Sequence, residues 1–185
     1  MRIAVYSGSF DPLHTGHLAI LEWLTAEERF DMVYLVVSPQ NPFKDPELAE
    51  SARRRYEAAC RAVARHEGLK VKVDDIELGM EPPQYTINTL DALGEREPGN
   101  SFTLVVGADN LDCILRWRSA EDLLTRYGLI VFPREGFDAA AKREELLKMN
   151  PDFRIEIADA PLVNISSSFI REELRQGRDV SQYLM

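Results

Sequence analysis

The chain has 185 residues, 45 % of them apolar, and a formal charge of −9 from 22 Lys and Arg against 31 Asp and Glu. That length and apolar content can bury a proper core and read as one domain, 1–185, with nothing suggesting disorder. The acidic charge is spread without a basic block, which argues against a long nucleic acid as partner. Small anions remain open to helix N-termini and local cations.

Cys60 and Cys113 are far apart, lack CxxC spacing and read as buried free thiols. The N-terminus has no charged segment followed by a cleavable apolar run, and no stretch approaches the ~20 apolar residues that span a bilayer. A cytoplasmic location and no membrane partner are therefore expected. A homo-oligomer is compatible with the sequence, which marks no interface.

In chain order, "RIAVYS" reads as a strand, "GHLAILEWLTAEER" as a helix, "MVYLVVS" as a strand and "SARRRYEAACRAVARH" as a helix. In this second helix, from about Ser51, Tyr56, Ala59, Cys60 and Val63 share the expected apolar face, with Arg53, Arg54, Arg61 and Arg65 largely elsewhere as a solvated face. "KVKVDDIEL" reads as a strand pair or extended segment, and "TINTLDALGERE", after the loop "GMEPPQY", as a helix. "SFTLVVGAD", "GLIVFP" and "FRIEIADA" read as strands, and "NISSSFIREELRQG" as a serine-capped helix ended by Gly177, before the tail "RDVSQYLM". The alternation predicts an α/β fold: a Rossmann-like, doubly wound, mostly parallel sheet in a single domain.

In such a sheet ligands collect beyond the carboxyl ends of the strands. The unusual residues fall there: Gly8 to His17 after the first strand, Ser38 to Lys44 after the second, Gly107 to Asp109 after the central one, and Ile165 to Arg171 before the last helix.

In the first of these loops Gly8 allows close backbone approach or positive φ, and Gly16 lets the chain turn into the helix without a Cβ. Backbone N–H groups and the helix dipole there favour a phosphate. The loop is neither GxGxxG nor a P-loop. His14 and His17, three apart, could face one ligand and, when positively charged, stabilise developing negative charge. The alternative is that one caps the turn and the other packs. Two histidines with no third ligand placed nearby make zinc a weak reading, so no protein-held metal is expected.

"GSFDPLHTGH" resembles the GxFxPxHxGH signature of the HxGH nucleotidyltransferase superfamily, and "ISSSFIR" its second signature, ISSTxIR. Within it the chain is most similar to the bacterial nicotinate-nucleotide adenylyltransferases, through "SPQNPFK", "PPQYTINTL", "VVGADNL", Arg116–Trp117 and "PREG". The resemblance covers essentially the whole chain. It implies transfer of the adenylyl group of ATP to nicotinate mononucleotide, giving nicotinate adenine dinucleotide and pyrophosphate by in-line attack without a covalent intermediate.

By the same resemblance His14, His17, Lys44, Ser166, Ser167 and Arg171 would surround the reacting phosphates, with His17 at the α-phosphate and Ser166, Ser167 and Arg171 at the β and γ phosphates. Gly8, Ser9, Phe10, Gly16, Gly107, Asp109 and Ile165 would bind ATP, Asp109 through its ribose. Tyr85, Thr86, Asn88, Trp117 and Arg134 would bind the mononucleotide, with Trp117 against the pyridine ring. Mg²⁺ would arrive mainly on the ATP phosphates. Asn88, Ser168 and Glu135 stand where the family often carries Asp, Thr and Pro. The alternatives are a phosphopantetheine adenylyltransferase and a non-catalytic nucleotide-binding regulatory protein.

Overall fold

The apolar N-terminal run forms the inner strand of the sheet in the computed structural model, which describes residues 1–26, 29–39, 46–162 and 165–185. The elements in order are β1 (Arg2–Gly8), α1 (Thr15–Thr25), β2 (Met32–Val37), α2 (Pro46–Ala64), β3 (Val71–Asp74), α3 (Thr86–Arg96) and β4 (Ser101–Gly107). They continue with α4 (Ala108–Asp112), α5 (Ala120–Asp122), β5 (Leu129–Phe132), α6 (Ala139–Met149), β6 (Ile155–Ile157) and α7 (Ser167–Arg175).

The strands form one parallel sheet of order β3-β2-β1-β4-β5-β6. Parallel sheets need cover on both faces, and the strands alternate between two cores accordingly. Ile3, Val5, Leu104 and Val106 face α3, α4 and α6 through Leu90, Leu93, Leu111 and Leu146. Ala4, Tyr6, Val105 and Ile130 face α1 and α2 through Leu21, Leu24, Ala59 and Ala62. Leu104 is 2 % exposed, so truncation to Ala would cost about 2–5 kcal/mol in transfer and cavity terms. The chain runs outward from β1 through β2 to β3, then crosses back to β4, so β1 and β4 flank the switch point where such sheets open a crevice.

Several sequence expectations need correction. "KVKVDDIEL" is one strand, β3, followed by a 3₁₀ turn at Ile76–Gly79 and not a strand pair, because Asp74 closes the strand by accepting from the Ile76 N–H. The buried face of α2 is centred on Ala52, Arg55, Ala59 and Ala62, leaving Tyr56, Cys60 and Val63 half-buried. Both cysteines are half-buried. Helix α6, which buries only Ala139 and Leu146, with Leu147 packed at the edge of the core, has too narrow an apolar stripe to stand out in the sequence. Among the described residues no helix is long and apolar enough to cross a membrane.

Candidate active site

At the switch point, the carboxyl ends of β1 and β4 open into a cleft of about 280 Å³. Ser7, Gly8, Ser9 and Phe10 form one wall and Val106, Gly107 and Asn110 the other, with His17, Thr86, Trp117, Arg134 and Ser167 reaching in from five further segments. Of the sequence-predicted residues, nine thus line one cavity: Gly8, Ser9, Phe10, His17, Thr86, Gly107, Trp117, Arg134 and Ser167. Lys44 lies outside the described residues.

The first loop is shaped by its small and aromatic residues. Phe10 is buried with φ +47°, a conformation uncommon without glycine and concentrated at functional sites. Its ring packs edge-on against Tyr6 and His17, with centroids 5.3 and 5.2 Å away. A Cβ on Gly8 would lie 3.2 Å from that ring, so close approach explains this glycine.

His14 and His17 cap α1 reciprocally. The Gly16 N–H donates to Nδ1 of His14, and the His14 N–H to Nδ1 of His17, both at 3.2 Å. With each Nδ1 an acceptor, the hydrogen-bond geometry assigns the ring proton of both to Nε2. The rings stack with centroids 3.7 Å apart. Burial, followed by the Arg134 charge, lowers His14 from 6.5 to about 4. Burial, then His14 and Arg134, lower His17 to about 3. The expectation of charged imidazoles is therefore corrected for the free protein: both are neutral Nε2–H donors at pH 7, because two stacked buried rings beside an arginine disfavour charge. Capping and a cleft-facing donor coexist at His17, while His14 lies beneath it.

Opposite, Gly107 permits a close approach of the Asp109 and Arg134 side chains: a Cβ there would lie 2.3 Å from Asp109 Oδ1 and 3.0 Å from Arg134 Nε. Arg134 Nε and Asp109 Oδ1 are 3.8 Å apart with side chains 38 % and 48 % exposed, a weak pair that an arriving phosphate can displace. Trp117 follows the 3₁₀ turn Ile114–Arg116, with one face on the core and the other on the cleft. Thr86 opens α3 at the same end, whereas Tyr85, 41 % exposed under the Arg118 guanidinium, and the exposed Asn88 lie outside the lining.

Helix α7 docks on the first loop. Ser166 caps it by accepting from the Phe169 N–H at 3.1 Å, Ser167 Oγ donates to the Pro12 carbonyl at 3.1 Å, and Arg171 donates to the Asp11 carbonyl at 2.7 Å and to Ser168 Oγ at 3.0 Å. Ser167 reaches the cleft, while Ile165, Ser166 and Arg171 stand at its rim element without lining it. The tail closes the other side, where Leu184 bridges His14 in antiparallel fashion.

Sequence reasoning passed over Tyr6, Ile20, Asn110 and Phe132 in the lining, and Arg55 and Glu77 beneath it. Asn110 stands in the quoted "VVGADNL", and Arg55 has the i, i+4 and i+7 spacing to Ala59 and Ala62 that marks a buried face.

The chain resembles known proteins along its length. The cytidylyltransferase-like family model matches residues 5–173. A protein of Cytophaga hutchinsonii named "Probable nicotinate-nucleotide adenylyltransferase" is 34 % identical over 185 residues, covering 100 % of this chain and 91 % of its own. One of the same name from Flavobacterium johnsoniae is 32 % identical over 184 residues, covering 100 % and 92 %. The Plasmodium falciparum nicotinic acid mononucleotide adenylyltransferase complexed with NaAD superimposes with a TM-score of 0.77 at 22 % identity, over 99 % of this chain and 90 % of that one, which supports the fold.

Proposed function

The chain belongs to the cytidylyltransferase-like family, among its nicotinate-nucleotide adenylyltransferases, and on that premise we propose how its cleft transfers the adenylyl group of ATP to nicotinate mononucleotide. The products are nicotinate adenine dinucleotide and pyrophosphate, a step of NAD biosynthesis. The observation that carries the reading is the convergence of His17, Gly8, Gly107, Arg134, Trp117 and Ser167 on one cavity at the switch point.

The attacking mononucleotide phosphate is already an anion, so the obstacles are repulsion and alignment, and the chemistry asks for no protein nucleophile. His17 donates from Nε2 to the α-phosphate as charge builds on it. His14 fixes the His17 ring by stacking and adds its own donor at the triphosphate. Arg134 exchanges Asp109 for phosphate oxygens, and Asp109 then accepts from the adenosine ribose. Ser166, Ser167 and the N-terminus of α7 take the β and γ phosphates, with Arg171 anchoring that helix to the Asp11 carbonyl and adding its charge. Gly8, Ser9, Phe10 and Gly16 shape the phosphate wall, Ile165 flanks the triphosphate, and Lys44 adds a further cation. Trp117 stacks on the pyridine ring, with Tyr85, Thr86 and Asn88 toward the nicotinate carboxylate.

Among the described residues no three His, Cys, Asp or Glu side chains come together to hold a metal. Mg²⁺ would arrive on the ATP phosphates with their water and would neutralise the leaving pyrophosphate. The protein works on small molecules in the cytoplasm, with neither nucleic acid nor membrane as partner.

Incubation with ATP, nicotinate mononucleotide and Mg²⁺, followed by chromatography, tests the assignment. Equimolar dinucleotide and pyrophosphate are expected, and pyrophosphate without dinucleotide would overturn it.

A further inference from the structure

Beneath the cleft floor runs a buried polar chain that the proposed chemistry does not use. Arg55 on α2 is 6 % exposed, and one of its terminal nitrogens donates to the Ser9 carbonyl at 2.5 Å and the Ser38 carbonyl at 2.9 Å. Its Nε is buried and has no partner among the described residues. The Ser38 N–H in turn donates to the Gly8 carbonyl at 2.9 Å. Ser38 Oγ and Ser7 Oγ are 2.8 Å apart, Ser7 Oγ donates to Glu77 Oε1 at 3.2 Å, and Thr89 Oγ1 donates to the same oxygen at 2.9 Å. Glu77 and Thr89 are 4 % and 1 % exposed.

The proton order follows from the carboxylate. Glu77 only accepts, so Ser7 and Thr89 both point their protons at it, and Ser38 must donate to Ser7. The chain is therefore directed, from a guanidinium under the β1 loop to a carboxylate against α3. Both halves bear on the cleft: Ser7 and Ser9 line it, and Thr89 is one helical turn beyond Thr86, which lines it from the opposite side. Burying the Glu77 carboxylate against two hydroxyls, and Arg55 with an Nε that meets no acceptor among the described residues, is costly. Well-packed apolar residues would hold the elements together at lower cost, which makes stability alone a poor reason for the arrangement.

We propose that Arg55 and Glu77 are positioning residues that set the phosphate loop of β1 and the mononucleotide end of α3 at the separation adenylyl transfer requires. Arg55 fixes the Ser9 carbonyl, and with it the backbone facing the triphosphate. Glu77 joins that strand to α3 through one oxygen shared between Ser7 and Thr89. The assignment of each half to a substrate rests on the function proposed above.

Three variants test it: Arg55→Lys, whose ammonium lacks the planar fork, Thr89→Val, which removes one hydroxyl at nearly constant volume, and Glu77→Gln. Steady-state constants for both substrates are measured well below each variant's melting midpoint, after circular dichroism confirms folding. R55K should raise the KM for ATP at least fivefold with the mononucleotide KM within twofold. T89V should do the reverse, and E77Q should lower kcat about tenfold and raise both KM values. Folded variants that keep kcat and both KM values within twofold would overturn the proposal, as would losses equal for both substrates that merely follow the melting temperature. Should R55K or E77Q fail to fold, T89V and Ser7→Ala carry the same readout. Wild type assayed alongside keeps the two readings apart: if it turns nothing over, the adenylyl-transfer reading fails. Calorimetric binding of a non-hydrolysable ATP analogue and of the mononucleotide then decides the positioning claim by the same selectivity.

Discussion

The His17 ring stacks on that of His14 at 3.7 Å between centroids, with the planes inclined by 28°, and each ring accepts a backbone N–H at Nδ1. The pair is therefore a helix cap on one side and a source of neutral Nε2–H donors on the other. His17→Ala should lower kcat by about 10²–10³, the usual loss for one donor aimed at developing charge, with a much smaller effect on ATP affinity. Steady-state kinetics paired with calorimetric ATP binding checks this, and near-normal turnover removes His17 from the mechanism.

Both histidines have folded-state values below their ordinary 6.5, at about 4 for His14 and about 3 for His17. Between those values and 6.5 the unfolded chain binds more protons than the folded one, so their contribution to stability rises with pH across that window and is level above it. Chemical unfolding from pH 4 to 7 should show the rise, and it should flatten in a His14→Gln, His17→Gln double variant.

Arg171 and Ser167 fasten α7 to the Asp11 and Pro12 carbonyls. Loss of the charged donor in Arg171→Ala should cost about 1.5–3 kcal/mol of unfolding free energy, and Ser167→Ala about 1 kcal/mol. Denaturant titration measures both, and an unchanged R171A midpoint would deny the docking role.

Gly107→Ala would put a Cβ 2.3 Å from Asp109 Oδ1, the free end of a movable side chain. Folding should survive with a melting temperature within a few degrees, while the displaced Asp109–Arg134 pair raises the KM for ATP several-fold. A large fall in stability would show that the wall cannot adjust.

Trp117→Ala should raise the KM for the mononucleotide much more than that for ATP, with Trp117→Phe in between. Equal effects on both substrates would refute stacking on the pyridine ring.

What the sequence made legible was what short-range chemistry dictates. Strands such as "RIAVYS" and "SFTLVVG" are continuous apolar runs because both sheet faces are covered, and the glycine- and histidine-bearing turns fall at their carboxyl ends. What it hid depends on long-range packing. The charge state of His14 and His17 follows from burial first, then from their pairing and from Arg134, far off in the sequence. Arg55 shares helical spacing with Ala59 and Ala62, but the carbonyls of Ser9 and Ser38 that it serves are identified only when α2 is packed on the sheet. Glu77 shows its use only when Ser7 and Thr89, 70 and 12 residues away, close on one oxygen.

Adenylyl transfer to nicotinate mononucleotide is tested by Mg²⁺-dependent pyrophosphate release from ATP with nicotinate mononucleotide, nicotinamide mononucleotide and phosphopantetheine as parallel acceptors. Nicotinate mononucleotide should give a clearly higher kcat/KM than either other acceptor. Release with phosphopantetheine alone, or with no acceptor at all, would contradict it.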